Sequence, residues 1–245
     1  MNYNWNWSVF LQPTASGDST YLGWLLLGFK WTVMLSLSAW VIALVVGSLV
    51  GVLRTVPNKW LRGIGATYVE IFRNIPLLVQ LFIWYFVLPE LLPVKAGDAF
   101  KQLNPLGQQF IAAMICLGLF CAARVAEQVR AGIGSLATGQ KNAGLAMGLT
   151  LPQTYRFVLL PMTYRIIIPP LTSEFLNMFK NSAVASTIGL IELSRQSQQL
   201  VDYTAQPYEA FIAVTLMYGL INVIVMLLMR TLENATRVPG FIGAK

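Results

Sequence analysis

The feature that most constrains this chain is a series of apolar stretches, each close to the roughly 20 residues that a helix needs to cross a bilayer. The last of them, residues 211–229, contains no charged residue. Five such stretches predict five transmembrane helices, at residues 31–53, 75–92, 110–129, 166–187 and 211–229. We expect the second helix to begin earlier, near Gly63, and the fourth to be broken by Pro169 and Pro170. The pattern predicts an all-α integral membrane protein.

The composition agrees with a membrane location. Hydrophobic residues make up 56% of the chain and charged residues only 11%, whereas soluble domains carry about 25% charged residues. Residues 1–20 lack the apolar core of a secretory signal, so we expect the first apolar run to remain as a span. Residues 21–29 are too short to span once Lys30 interrupts them, and we interpret them as an interfacial segment.

Side-chain chemistry excludes several function classes. Histidine is absent from the sequence, which removes the commonest proton shuttle and metal ligand. Cys116 and Cys121 are five residues apart and would not share a helix face, so neither a disulfide nor a metal site is expected. A glycine-rich phosphate loop is also absent from the sequence. We therefore expect no catalytic residue, no metal ligand and no cofactor bound by this chain.

Basic residues are concentrated in one of the two sets of segments that separate the predicted spans. That set contains a single acid, Glu233, and ten basic residues, namely Arg54, Lys59, Arg62, Arg130, Lys141, Arg156, Arg165, Arg230, Arg237 and Lys245. Because positively charged loops remain in the cytosol, the N-terminus is predicted to be periplasmic and the C-terminus cytoplasmic. The net charge of +7 then reflects membrane topology and does not indicate a nucleic-acid partner.

A long cytosolic loop is predicted at residues 134–161. Residues 140–147 are compatible with a short helix, and Gly148 can end that helix in a left-handed conformation. Thr150 and Gln153 have capping-box spacing for a second helix, and Pro152 lies in its first turn, where a missing N–H is harmless. The sequence therefore predicts a short helix with a small-residue face, a sharp turn, and a helix that returns to the bilayer.

This loop resembles the loop signature of bacterial ABC-importer permeases. The match consists of Asn142-Ala143-Gly144, then Gly148, then Val-Leu-Leu-Pro at residues 158–161. In that family the loop is a coupling helix that docks on a separate ATPase. The resemblance therefore implies ATPase contacts for Gln140, Asn142, Ala143, Gly144, Gly148, Leu149 and Pro161. The family usually has Glu-Ala-Ala where this chain begins with Asn142, so we expect docking to depend on shape and hydrogen bonds more than on an ion pair.

Other segments resemble the permeases of polar amino acid importers. They are residues 69–82, 127–140 and 177–189, and the resemblance extends from residue 23 to about residue 230. Residues 5–7, 55–58 and 122–125 are most similar to the glutamate/aspartate permeases. The resemblance implies the type I ABC-importer permease fold in one domain, residues 1–245. Its expected parts are a periplasmic N-terminus at 1–20, a five-helix membrane domain at 21–230 and a cytosolic tail at 231–245.

Charged residues within the predicted spans are functional candidates, because an ionisable side chain in a bilayer is costly unless paired or hydrated. They are Glu70, Arg73, Arg124, Glu127, Glu174 and Lys180. Arg124 interrupts an apolar run, and its planar guanidinium can bind a carboxylate through two hydrogen bonds. We interpret Arg124 and Glu127 as substrate-binding residues that pair when the site is empty. The alternative is that these two residues form a permanent structural pair.

Two further groups of residues receive roles. Asn181 and Ser182 follow the prolines of the fourth span and are secondary candidates for substrate contact. Glu70 and Arg73 are three residues apart and can pair on one helix face. With Pro76 beside them, we interpret them as a structural or gating element.

The chain is thus predicted to be a permease subunit that moves polar amino acids, with glutamate and aspartate favoured, inward across the bacterial inner membrane. The expected partners are a second, homologous permease, an ATPase homodimer that binds ATP and Mg, a periplasmic amino acid-binding protein and membrane lipid. The alternatives are a stand-alone secondary transporter, a structural subunit without a path of its own, and an ABC permease for glutamine or for basic amino acids.

Overall fold

The computed structural model describes residues 3–236, so the part of the predicted cytosolic tail from residue 237 onward lies outside the described residues. Within the described range the chain forms helices and no β-strand. The α-helices are α1 (Tyr21–Leu53), α2 (Lys59–Asn74), α3 (Leu77–Leu91), α4 (Val94–Lys101), α5 (Pro105–Ser135), α6 (Thr138–Ala146), α7 (Leu151–Thr154), α8 (Leu160–Asn181), α9 (Leu193–Thr204) and α10 (Pro207–Thr236). Short 3-10 helices occur at Trp7–Leu11 and Ser182–Ile188. The prediction of an all-α protein is confirmed.

Helix α1 is longer than predicted. Residues 21–29, which we expected to be a separate interfacial segment, belong to the same continuous helix. Lys30 does not interrupt it, because its side chain is exposed and a lysine can carry its charge away from apolar neighbours on a long stem.

Helices α2 and α3 are separated at Ile75 and Pro76, so the prediction of one helix from near Gly63 to residue 92 is wrong. Ile75 has extended backbone angles, φ −89° and ψ 129°, which is the conformation that a following proline imposes. At its other end α2 begins with a cap, because the Asn58 side chain accepts a hydrogen bond from the backbone N–H of Trp60 at 2.9 Å.

Prolines within the helical segments are accommodated in two ways. Two π-helical turns, Ile83–Val87 and Tyr155–Leu159, stand two residues before Pro89 and Pro161. In each, the N–H before the proline bonds to the carbonyl five residues back, and the wider turn relieves the clash that the proline ring would cause. Helix α8 instead continues through Pro169 and Pro170. The predicted break there is wrong, because the buried side chains around the prolines hold the helix in place.

The predicted count of five spans is supported only in part. Among residues 3–236, helices α1, α5 and α10 are long and apolar enough to cross a membrane, and the broken pair α2–α3 gives a fourth candidate if it counts as one span. Helix α8 corresponds to the remaining predicted span. It does not reach the same apolarity, because it carries Arg165, Glu174 and Lys180.

The described residues form two compact units by their internal packing. One contains residues 3–39, 76–117 and 177–223, and the other contains residues 40–75, 118–176 and 224–236. In the first unit, Val9, Leu25, Leu193, Leu200 and Val214 belong to one apolar cluster. The N-terminal segment is fixed to this unit by the buried Glu209, which accepts hydrogen bonds from the Tyr3 hydroxyl and from the Asn6 N–H.

Candidate substrate cavity and coupling loop

The second half of α5 has two chemically different faces. One face packs closely on α1, where a Cβ at Gly47 or Gly51 would lie 2.6 or 2.7 Å from the Cβ of Val125 or Val129. Only glycine at these two positions permits that approach. The opposite face carries residues at spacings of three and four, which place them on one side of a helix, namely Arg124, Glu127, Gln128 and Ala131.

This polar face lines a cavity of about 530 Å³. Helix α2 contributes Arg73 and helix α8 contributes Glu174, and all lining residues belong to the second unit. The cavity volume is within the range of small-molecule sites. Arg124 and Glu127, which the sequence predicted as substrate-binding residues, both lie on the cavity wall.

Glu127 is held by three arginines, which lie just after α1, on α2 and on its own helix α5. Its carboxylate contacts Arg54, which follows α1, at hydrogen-bond distance. The same oxygen lies 3.6 Å from Nη1 of Arg73, and the other oxygen accepts a hydrogen bond of 2.9 Å from Nε of Arg130. Glu127 therefore pairs with Arg130 on its own helix and with Arg54 and Arg73 from elsewhere, and the predicted pair with Arg124 is not formed.

Arg124 pairs with Glu174 of α8 instead. Its Nη1 lies 3.6 Å from Oε2 of Glu174, which is an ion-pair distance but too long for a hydrogen bond. That oxygen is buried and accepts no hydrogen bond among the described residues. The guanidinium of Arg124 also lies 4.9 Å from the centre of the Phe120 ring, a cation–π contact. Both charges thus retain hydrogen-bonding capacity that a bound ligand could use.

The sequence did not assign Glu174 to the site, although a charge within an apolar helix was a signal for it. Spacing within one helix could not reveal its partner, because Arg124 is on another helix.

The predicted pair of Glu70 and Arg73 is not formed. Glu70 instead accepts a hydrogen bond of 3.1 Å from the Asn74 side chain, and Arg73 reaches Glu127. Pro76 follows the break between α2 and α3.

Asn181 and Ser182 are not among the residues that line the cavity, and they belong to the first unit. Ser182 is buried, and its hydroxyl donates a hydrogen bond of 2.7 Å to the carbonyl of Phe179. This contact already satisfies the hydroxyl as a donor.

The loop structure predicted after α5 is confirmed. Helix α6 ends before Gly148, whose φ of +87° is in the left-handed region. Thr150 then begins α7, and its backbone N–H donates a hydrogen bond of 2.8 Å to the Gln153 side chain, as a capping box requires.

The outer surface of α6 is available to a partner, whereas part of its small-residue face is not. Gly144 is buried, and a Cβ there would lie 2.9 Å from Cγ2 of Thr154. Asn142, Ala143, Gly148 and Pro161 are exposed, whereas Gln140 and Leu149 are half-buried. Met147, which the sequence did not single out, is 82% exposed.

Comparison with known proteins gives the class. Residues 43–238 match the family described as the inner membrane component of binding-protein-dependent transport systems. The chain is 58% identical over 246 residues to the glutamate/aspartate import permease protein GltJ of Escherichia coli (strain K12), with 100% of both chains covered. It is 33% identical over 199 residues to a probable glutamine ABC transporter permease protein, GlnM, of Bacillus subtilis (strain 168), covering 80% of this chain and 85% of the relative.

A solved structure agrees with these relatives. The crystal structure of an amino acid ABC transporter with histidines contains a chain that matches with a TM-score of 0.73 and 28% identity, over 88% of this chain and 95% of the other. The chain belongs to the family of inner membrane components of binding-protein-dependent transport systems. The predictions of the type I ABC-importer permease fold and of a transporter component are confirmed by this membership. Such a component works with an ATPase and a substrate-binding protein, which argues against a stand-alone secondary transporter.

Proposed function

We propose that the chain is the permease of an importer for acidic amino acids, glutamate and aspartate. The observation that carries the proposal is the loosely paired Arg124 on the cavity wall, whose Nη1 stays 3.6 Å from Glu174. A guanidinium with free donors can bind a carboxylate through two hydrogen bonds. The identity of 58% over the full length to a glutamate/aspartate import permease supports the same substrate class.

The opposite charges of Arg124 and Glu174 also suit the backbone of a free amino acid. Its carboxylate and ammonium groups are attached to one carbon, so they can meet two opposite charges that lie close together. Substrate would replace the weak Arg124–Glu174 contact with two charge-assisted hydrogen bonds. Glu127 takes a structural role, because its arginine partners occupy both of its oxygens.

The distribution of charge supports the orientation, and the family membership supports the partners. The N-terminus is periplasmic and the C-terminus cytoplasmic, α8 is a further span whose Glu174 lines the cavity, and the exposed surface of α6 docks on the ATPase. ATP with Mg binds the ATPase homodimer, whose closure draws the coupling helices together and opens the cavity outward. A second, homologous permease completes the pathway, and a periplasmic binding protein delivers the amino acid.

The test is a transport-coupled ATPase assay on the reconstituted importer with glutamate, aspartate, glutamine and arginine. Glutamate and aspartate should stimulate ATP hydrolysis and uptake, and Arg124→Ala should abolish both, because the fixed cation is lost. Arg62→Ala is the matched control, since Arg62 is exposed on α2 and forms no ion pair among residues 3–236. Unchanged glutamate uptake by Arg124→Ala would exclude the proposal.

Glutamine is the second candidate, because a probable glutamine permease is 33% identical over most of the chain. Stimulation of the wild-type importer by glutamine, with no response to glutamate, would favour that substrate.

A further inference from the structure

Gln128 is the cavity residue whose chemistry the proposed function does not use. It lies on α5 four residues after Arg124, so the two side chains are neighbours on one helix face, with Cβ atoms about 5–6 Å apart. Gln128 itself is half-buried. Across the described range, no hydrogen bond or ion pair involves the Gln128 amide.

The Gln128 amide differs from the neighbouring side chains on α5, because those side chains already have packing or ion-pair partners. Val125 and Val129 pack against α1, and Glu127 is held by its arginines. A primary amide offers two donors and one acceptor, and a polar group within a membrane helix is costly when it has no partner. Gln128 therefore presents free donors to the same cavity as Arg124.

From this arrangement we infer that Gln128 is a specificity-determining residue, whose amide donates hydrogen bonds to the side-chain carboxylate of the substrate. The inference rests on the proposed function of the cavity. Arg124 and Glu174 hold the groups attached to the α-carbon, and Gln128, one helical turn away, contacts the far end of the molecule. The site thus measures the separation between the two ends of a dicarboxylic amino acid.

The amide alone does not supply the charge that selects an acid. The three arginines around Glu127 exceed the charge of that single carboxylate, and Arg73 also lines the cavity. This excess of positive charge favours a carboxylate over an amide at the end that Gln128 contacts.

The experiment measures binding of glutamate, aspartate and glutamine to the permease–ATPase complex in nanodiscs without the binding protein, so that cavity affinity is observed directly. Gln128→Leu should weaken glutamate and aspartate binding about tenfold, the size expected for a lost hydrogen bond to a charged group, and change glutamine binding less. Gln198→Leu is the matched control, because Gln198 is exposed on α9 in the other unit.

Gln128→Asn provides a second readout that misfolding cannot imitate. It keeps the donors but withdraws them by one methylene, so aspartate binding should fall several-fold more than binding of the longer glutamate. The inference would be overturned if Gln128→Asn weakened binding of glutamate and aspartate equally, or if Gln128→Leu bound them as the wild type does. The proposed function would still stand in either case if Arg124→Ala weakened glutamate binding. If the wild-type complex binds no glutamate, or if Arg124→Ala binds it normally, the proposed site and this inference both fail.

Discussion

Glu127 and Glu192 are both glutamates within the helical packing, and their carboxylates meet opposite kinds of neighbours. Glu127 contacts Arg54, Arg73 and Arg130 in the second unit. Glu192 is fully buried in the first unit and accepts hydrogen bonds from the backbone N–H groups of Ser194 and Arg195, at 3.0 and 2.9 Å.

The side-chain partners of Glu192, Thr32 and Tyr218, are also neutral. The Tyr218 hydroxyl on α10 donates to its carboxylate at 2.9 Å. Glu192 begins α9 as its N-cap, so its hydrogen bonds satisfy backbone groups that the helix leaves free. Among the described residues, Glu192 forms no ion pair with a cation.

The difference shows two ways of keeping a carboxylate inside a membrane protein. The arginines around Glu127 keep its carboxylate charged. Removal of the carboxylate or of its arginines would leave the other charge without a partner. Hydrogen-bond donors alone hold Glu192, and burial outweighs them, so the pKa of Glu192 rises from 4.5 to about 7. Glu127 is therefore part of a permanent ion-pair cluster, whereas Glu192 can gain a proton near neutral pH.

The largest expected effect on stability comes from removing the Glu127 carboxylate from its ion-pair cluster. Glu127→Ala leaves Arg54, whose side chain is only 12% exposed, without its partner. Loss of one member of such a pair should lower stability by about 3 kcal/mol, measured as the apparent melting temperature of the purified complex. Glu70→Ala is the control, because that carboxylate is exposed and bonds only Asn74 among described residues. Equal losses in both variants would contradict the comparison.

Local signals in the sequence predicted the coupling loop well. Gly148, Thr150 and Gln153 act within a few residues of one another, so their spacing determines the turn and the cap. The break at Pro76 had the same kind of signal, since a proline restricts the residue before it. The apolar pattern on both sides predicts a continuous helix instead, and that prediction is wrong.

The ion pairs between helices could not be predicted in this way, although Arg130 does pair with Glu127 at a spacing of three residues. Spacing of three residues suggested Arg124 with Glu127 and Glu70 with Arg73, but such pairs contribute only about 0.2–0.5 kcal/mol in a helix. Contacts between α5, α8 and the end of α1 decide the real partners. Which helices face one another depends on packing, as at Gly47 and Gly51, and a single sequence does not reveal it.

The second effect is the pH dependence of Glu192. A carboxyl group whose pKa is raised in the folded state favours folding while protonated, so stability should fall as the pH rises from 4.5 to about 7 and then level off. The expected change is about 3 kcal/mol. Glu192→Gln keeps an acceptor for the backbone and removes the ionisation, so its melting temperature should depend less on pH across this range. Identical pH profiles for the variant and the wild type would show that Glu192 does not titrate there.

The smallest expected effect tests how much a neutral hydrogen-bond donor contributes to holding the Glu192 carboxylate. Tyr218→Phe removes one hydrogen bond to Glu192, which should lower stability by about 1 kcal/mol. The lost donor stabilised the charged carboxylate, so the pKa of Glu192 should rise further and the fall in stability should extend to higher pH. Tyr203→Phe is the control, since Tyr203 is exposed on α9. A fall in stability without movement of the pH profile would mean that Tyr218 contributes through packing, and that burial alone sets the charge state of Glu192.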